Sequence, residues 1–97
     1  MQNKLIGIWE NDPADRTSIE VYGNVRMEFK NNGELIYSII ENEREQKMLL
    51  RYIIDGNTLI TDQPSHPEKM RSEFSIDDDI LELTFDGIRS RYLRVII

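Results

Sequence analysis

Alternation constrains this chain more than any other feature. Over residues 24–30, Val25, Met27 and Phe29 fall on one face of an extended chain, and Asn24, Arg26, Glu28 and Lys30 fall on the other. A period of two is that of a half-buried β-strand, not of a helix. The same period returns over 69–76, where Met70, Phe74 and Ile76 oppose Arg71, Glu73 and Ser75. Over 80–85, Leu81, Leu83 and Phe85 oppose Glu82 and Thr84.

Turn residues separate these runs. Asn31-Asn32-Gly33 supplies the positive φ that a tight hairpin needs, Asp55-Gly56-Asn57 is a second turn of hairpin type, Asp77-Asp78-Asp79 turns the chain, and Asp86-Gly87 is the last tight turn. Further strands are expected at 5–9, 34–41, 48–54, 58–62 and 89–97. The strand at 34–41 has apolar residues on both faces, so cover on both sides is expected. Residues 41–46 are polar and read as a connection. Asp12 followed by Pro13 reads as a helix start, giving a short helical turn or loop over 12–20. Residues 19–22 read as a further short strand. The count is about eight strands joined by short connections. That is an all-β, antiparallel up-and-down meander, which hides its edges best by closing into a small barrel, with a flattened sandwich as the near alternative.

The 97 residues are expected to form one domain, 1–97. At this size roughly 60–65% of the unfolded chain's surface can be buried, enough for one modest core. There is no cysteine, which rules out disulfides and thiolate metal ligation and fits a reducing cytoplasm. The first residues lack an apolar leader, and no apolar run approaches the ~18 residues of a membrane-spanning helix. Twelve Lys and Arg stand against eighteen Asp and Glu, a net charge of −6. A direct nucleic-acid binder would carry the opposite sign.

The start of the chain, Leu5-Ile6-Gly7-Ile8-Trp9, holds the only tryptophan. Gly7-Ile8-Trp9 on the first strand, the meander, and Tyr92 with Arg94 on the last strand resemble the lipocalin and fatty-acid-binding superfamily, the calycins. The resemblance implies that Trp9 packs across one end of the barrel beneath a basic side chain of the last strand. Arg94 is the first candidate for that side chain and Arg91 the second. Gly7 would let a large side chain approach closely. Members of that superfamily are longer, so a short barrel with a shallow interior is expected here.

Other residues suggest less. Arg51 interrupts an apolar strand and is either outward-facing or an inward anchor for an anionic ligand head group. His66, the single histidine, sits in a Pro-bounded loop, too little for a histidine-rich metal site. Asp77–79 lacks the ligand spacing of a calcium loop. No phosphate-cradling loop, nucleophile elbow or Cys–His pair appears, so no enzymatic activity and no cofactor are expected. Glu41, Glu43 and Glu45, together with Asp77, Asp78 and Asp79, could instead form an acidic docking surface. The reading favoured by charge is an inhibitor of a basic protein. It is similar in character to bacterial immunity proteins that cover a nuclease toxin, and would act as a cytoplasmic monomer. The alternative is a lipocalin-like carrier of a small apolar or anionic ligand.

Overall fold

The computed structural model describes residues 4–63 and 68–95. Eight strands follow one another: β1 (Gly7–Asn11), β2 (Asn24–Phe29), β3 (Glu34–Glu41), β4 (Arg44–Asp55), β5 (Thr58–Asp62), β6 (Met70–Asp77), β7 (Ile80–Phe85) and β8 (Ile88–Arg94). One helix, α1 (Arg16–Tyr22), lies between β1 and β2. Each strand pairs antiparallel with the next, and β8 returns to β1 through Trp9 opposite Arg94 and Asn11 opposite Tyr92. The sheet is therefore a closed barrel with no free edge.

The register sets which residues point inward. Met27 faces Tyr37 across β2 and β3, Leu35 faces Leu50 across β3 and β4, and Leu81 faces Tyr92 across β7 and β8. These positions fill the interior. Leu5, Trp9, Met27, Phe29, Leu35 and Leu81 are all 0–2% exposed, and Tyr37, Leu50, Phe74 and Leu83 pack around them. Phe29 and Tyr52 meet edge to face with ring centres 5.0 Å apart, and the Tyr52 hydroxyl donates to the Lys30 carbonyl at 2.6 Å. The alternation of β2, β6 and β7 thus runs inward for the apolar residues and outward for the charged ones, as the period of two requires.

Two segments differ from expectation. Residues 19–22 are not a strand; they complete α1. Its N-cap is Asp15, whose side chain accepts from the Ser18 amide, while Asp12 forms a turn just before it by accepting from the Ala14 amide. Pro13 lies in that turn, outside the helix. Gly23, with φ 81°, ends the helix by donating to the Ile19 carbonyl at 2.8 Å. The polar stretch at 41–46 is no loop either. β4 begins at Arg44, and only Asn42 and Glu43 turn the chain, with φ 51° and 64°. The outer face of β3 is also less covered than expected. Ile36 stays half exposed beside Leu49, which is 56% exposed, and Ile53 and Ile60 continue the strip.

The meander divides the connections between two ends. One end carries residues 4–6 and the turns β2–β3, β4–β5 and β6–β7. The other carries α1, the turns β3–β4 and β7–β8, and the β5–β6 connection. His66 falls in that last connection, outside the described residues.

Candidate functional site

The first end is sealed on its β1 and β8 side, while across from it Ile54 and Ile76 stay half-buried beside an open recess of about 370 Å³ that Leu5 and Phe74 also line. Trp9 is fully buried across it, and its indole N–H donates to the Leu5 carbonyl at 2.9 Å. The Arg94 guanidinium lies 4.2 Å from the indole ring centre. It donates to the carbonyls of Ile6 and Lys4, each at 3.0 Å, and to the Asp79 carboxylate at 3.1 Å. Each of its three nitrogens thus donates to the protein, which makes Arg94 part of the closure of this end. A Cβ on Gly7 would stand 2.9 Å from an Arg94 nitrogen, and Gly7 has φ 135°. Glycine is therefore required there by both space and backbone conformation. Arg91, the other candidate, instead reaches Asp12 and Glu82 at 3.9 and 3.6 Å on the outside.

The second end is open. Inward-facing side chains there keep partial contact with solvent: Ile39, Met48 and Phe85 are half-buried, and Met70 is 45% exposed. β3 and β4 run on past the barrel, and all residues from Glu41 to Lys47 are exposed. Along the inner face of this projecting hairpin lies an open groove of about 490 Å³, lined by Ile39, Glu41, Asn42, Arg44 and Gln46. Binding sites for small molecules commonly span ~300–1,000 Å³ and are mostly apolar with a few fixed polar groups.

Of the residues lining this groove only Ile39 is apolar; phenols and hydroxyls lie deeper, in the barrel interior. Burial pushes the Tyr37 phenol up to about 12, and the nearby Tyr92 and Tyr22 add to the shift. Burial also raises Tyr92; the neighbouring hydroxyls of Ser90 and Ser18 partly offset this, and Tyr22 and Asp15 add to it. Tyr22 comes from α1, Tyr37 from β3 and Tyr92 from β8, so three elements bring their phenols into one neighbourhood. Asp15 fixes the helix above them by accepting from the Arg91 amide at 2.8 Å.

Arg51 points away from this interior. Its neighbours Leu50 and Tyr52 face in, and Arg51 sits on the outer wall opposite Glu34 and Asp62. It cannot hold a ligand head group inside the barrel. Below the rim pair of Glu41 and Arg44, the inward positions of β3 and β4 at this end are Tyr37, Ile39, Gln46 and Met48, none of them charged.

The acidic residues do not form one surface. Glu41, Glu43 and Glu45 lie on the projecting hairpin at the open end. Asp77, Asp78 and Asp79 form the β6–β7 corner at the first end, where Asp79 is engaged by Arg94. Among the described residues, no group of three His, Cys, Asp or Glu is gathered as for a metal ion. No described helix is long and apolar enough to cross a membrane.

The molecule so defined is a small closed eight-stranded antiparallel β-barrel, consistent with a lipocalin-like barrel. No protein-family model matches the chain, and no match to it was found among curated proteins or solved structures.

Proposed function

We propose that the barrel binds a small, uncharged, largely apolar molecule at its open end. One observation carries this reading: at the second end the inward-facing Ile39, Met48 and Phe85 are only half-buried and Met70 is 45% exposed. Apolar surface facing a concave, half-closed space gains by taking up an apolar guest. The guest is uncharged because, below the rim pair of Glu41 and Arg44, no inward position of β3 or β4 at this end carries a charge, and burying an unpaired charge is costly. The short strands limit the site to a molecule of a few rings, not a long acyl chain.

The test is a titration with two fluorescent probes, a neutral naphthalene ketone and an anionic anilinonaphthalene sulfonate. The neutral probe should bind more tightly, and Met48→Arg, which puts a charge on an inward position, should abolish its binding. Equal binding to wild type and variant, or preference for the anion, would remove the reading.

A second reading has its own observation. The hairpin from Glu41 to Lys47 stands clear of the barrel with both faces exposed, and Glu41, Glu43 and Glu45 lie along it. Such an arm could dock on a basic protein, as an immunity-type protein covers a nuclease toxin, with fast and salt-sensitive association. Asp77, Asp78 and Asp79 would take no part, since they occupy the opposite end. A basic protein captured at low salt, released by salt and lost when all three glutamates are changed to lysine would support this reading. Capture that survives the triple change would end it.

A further inference from the structure

One wall of the barrel is apolar on its outside. Ile36 on β3 stands opposite Leu49 on β4, and Ile53 on β4 stands opposite Ile60 on β5, all of them facing outward. Leu49 and Ile53, at 56% and 59%, are the most exposed large apolar side chains among the described residues. A contiguous exposed strip of this kind marks a contact surface. The barrel is closed and offers no strand edge, so a partner must pack on the face of the wall.

The charges around the strip are nearly balanced. Lys47, Arg51 and Arg71 stand against Glu28, Glu34, Asp55 and Asp62 on the same outer face, whereas the whole chain carries −6. A basic partner would be drawn by an excess of negative charge, which this wall lacks, and two copies of the chain can meet here without adding much repulsion. The order of residues favours a second copy. Along β4 the outward row reads Lys47, Leu49, Arg51, Ile53, Asp55. Turned about a two-fold axis at Arg51 and laid against itself, the row sets Lys47 against Asp55 and Leu49 against Ile53 of the other copy. The two Arg51 side chains then meet near the axis, each flanked by Glu34 and Asp62 on the neighbouring strands. Among the described residues, the Arg51 side chain has no hydrogen bond or ion pair within its own chain, so it is available to those carboxylates across the contact.

We propose that two copies of this chain associate through the outer wall of β3, β4 and β5, with the two β4 strands packed antiparallel across a two-fold axis at Arg51. Three strands at a spacing of about 4.8 Å make a narrow wall, below the ~800 Å² per partner of a standard interface, so the dimer is weak, with a dissociation constant in the micromolar range. The monomer expected from the sequence is its dilute form. The contact lies on the side of the barrel and leaves the open end free.

The test is sedimentation velocity of the full chain over a series from micromolar to millimolar concentration. Wild type should pass reversibly from monomer to dimer. Leu49→Lys should raise the dissociation constant by more than about tenfold, because each dimer loses two apolar contacts and gains charge near its centre. Lys47→Glu should weaken the dimer by about 3–10-fold, and Lys47→Glu combined with Asp55→Lys should restore it, since the axis returns the exchanged charges to opposite pairs. Leu93→Lys, outward on another wall, should leave the dimer unchanged. Thermal melts at micromolar concentration check that the variants fold; if Leu49→Lys does not, the exchange of Lys47 and Asp55 decides. A wild type that stays monomeric throughout overturns the inference, as does a dimer that survives Leu49→Lys or is lost equally in Leu93→Lys. A Lys47→Glu loss that Asp55→Lys fails to reverse also overturns it, because the two rows then do not face each other.

Discussion

The Arg94 guanidinium lies 4.2 Å from the centre of the Trp9 ring, and the same guanidinium ties down the Lys4 and Ile6 carbonyls and Asp79. One side chain thus joins the start of the chain, the β6–β7 turn and the last strand over a buried indole. Its removal exposes the ring and leaves two carbonyls without their charged donor. Arg94→Ala should cost about 2–4 kcal/mol, combining the ring contact with charge-assisted hydrogen bonds. Urea unfolding followed by tryptophan emission should show this, with a red-shifted native spectrum. Arg94→Lys should recover only part of the loss, because an ammonium lacks the planar fork.

Gly7 should be coupled to Arg94. Gly7→Ala places a methyl group 2.9 Å from the guanidinium and forces a side chain onto φ 135°. The cost should be about 1–3 kcal/mol, part steric and part conformational. In an Arg94→Ala background the steric part vanishes and the conformational part stays. A double-mutant cycle should therefore give less than additive destabilisation. Full additivity would mean that the clash relaxes at no cost and that Gly7 is needed only for its backbone.

Some of this architecture was legible in the sequence and some was not, for reasons that differ by element. β7 is legible to the residue because its inward face is apolar along its whole length and tight turns bound it. The start of β4 was missed because Arg44, Glu45, Gln46 and Lys47 project beyond the barrel, so neither face is buried and no alternation develops. α1 was only half read. Its one fully buried residue is Ser18, so it carries no apolar stripe, and Asp12-Pro13 imitates a cap that Asp15 provides. The pairing of Trp9 with Arg94 came from a resemblance, since no periodicity links residues so far apart in the chain. The open end was not legible at all. Whether an inward Met48 or Met70 is sealed or wet depends on how far each strand extends, and inward polar residues such as Asn11 and Ser18 are invisible to hydropathy.

The buried phenols make stability depend on alkaline pH. Tyr37 titrates near 12 in the folded barrel and at its ordinary value of 10.0 once unfolded, because burial penalises the phenolate. Between these values the unfolded chain has lost a proton that the folded chain keeps. The contribution is therefore intact below pH 10 and is lost as pH rises toward 12. Phenolate absorbance near 295 nm should show Tyr37 and Tyr92 ionising late, and Tyr37→Phe should flatten the fall in melting temperature over that window. A tyrosine titration with every group near 10 would contradict the burial of these rings.

The β3–β4 turn offers a prediction of opposite sign. Asn42 and Glu43 both have positive φ, at 51° and 64°, the pattern of a two-residue turn that favours Asn followed by Gly. Glu43 is exposed, and among the described residues its side chain has no hydrogen bond or ion pair that would be lost. Glu43→Gly should therefore stabilise the fold by about 0.5–1 kcal/mol, since glycine removes the side-chain penalty of the left-handed conformation. Asp79→Ala, at the other acidic turn, should destabilise by about 0.5–1 kcal/mol, because it removes the half-exposed partner of Arg94. Chemical denaturation of the two variants separates the roles of the two acidic turns. Asp79 helps hold the first end, whereas Glu43 is free to be judged by what the hairpin binds. If Glu43→Gly strengthens the fold yet weakens capture of a basic partner, the hairpin keeps a strained glutamate for contact. If capture is unchanged, its charge at that position serves no partner.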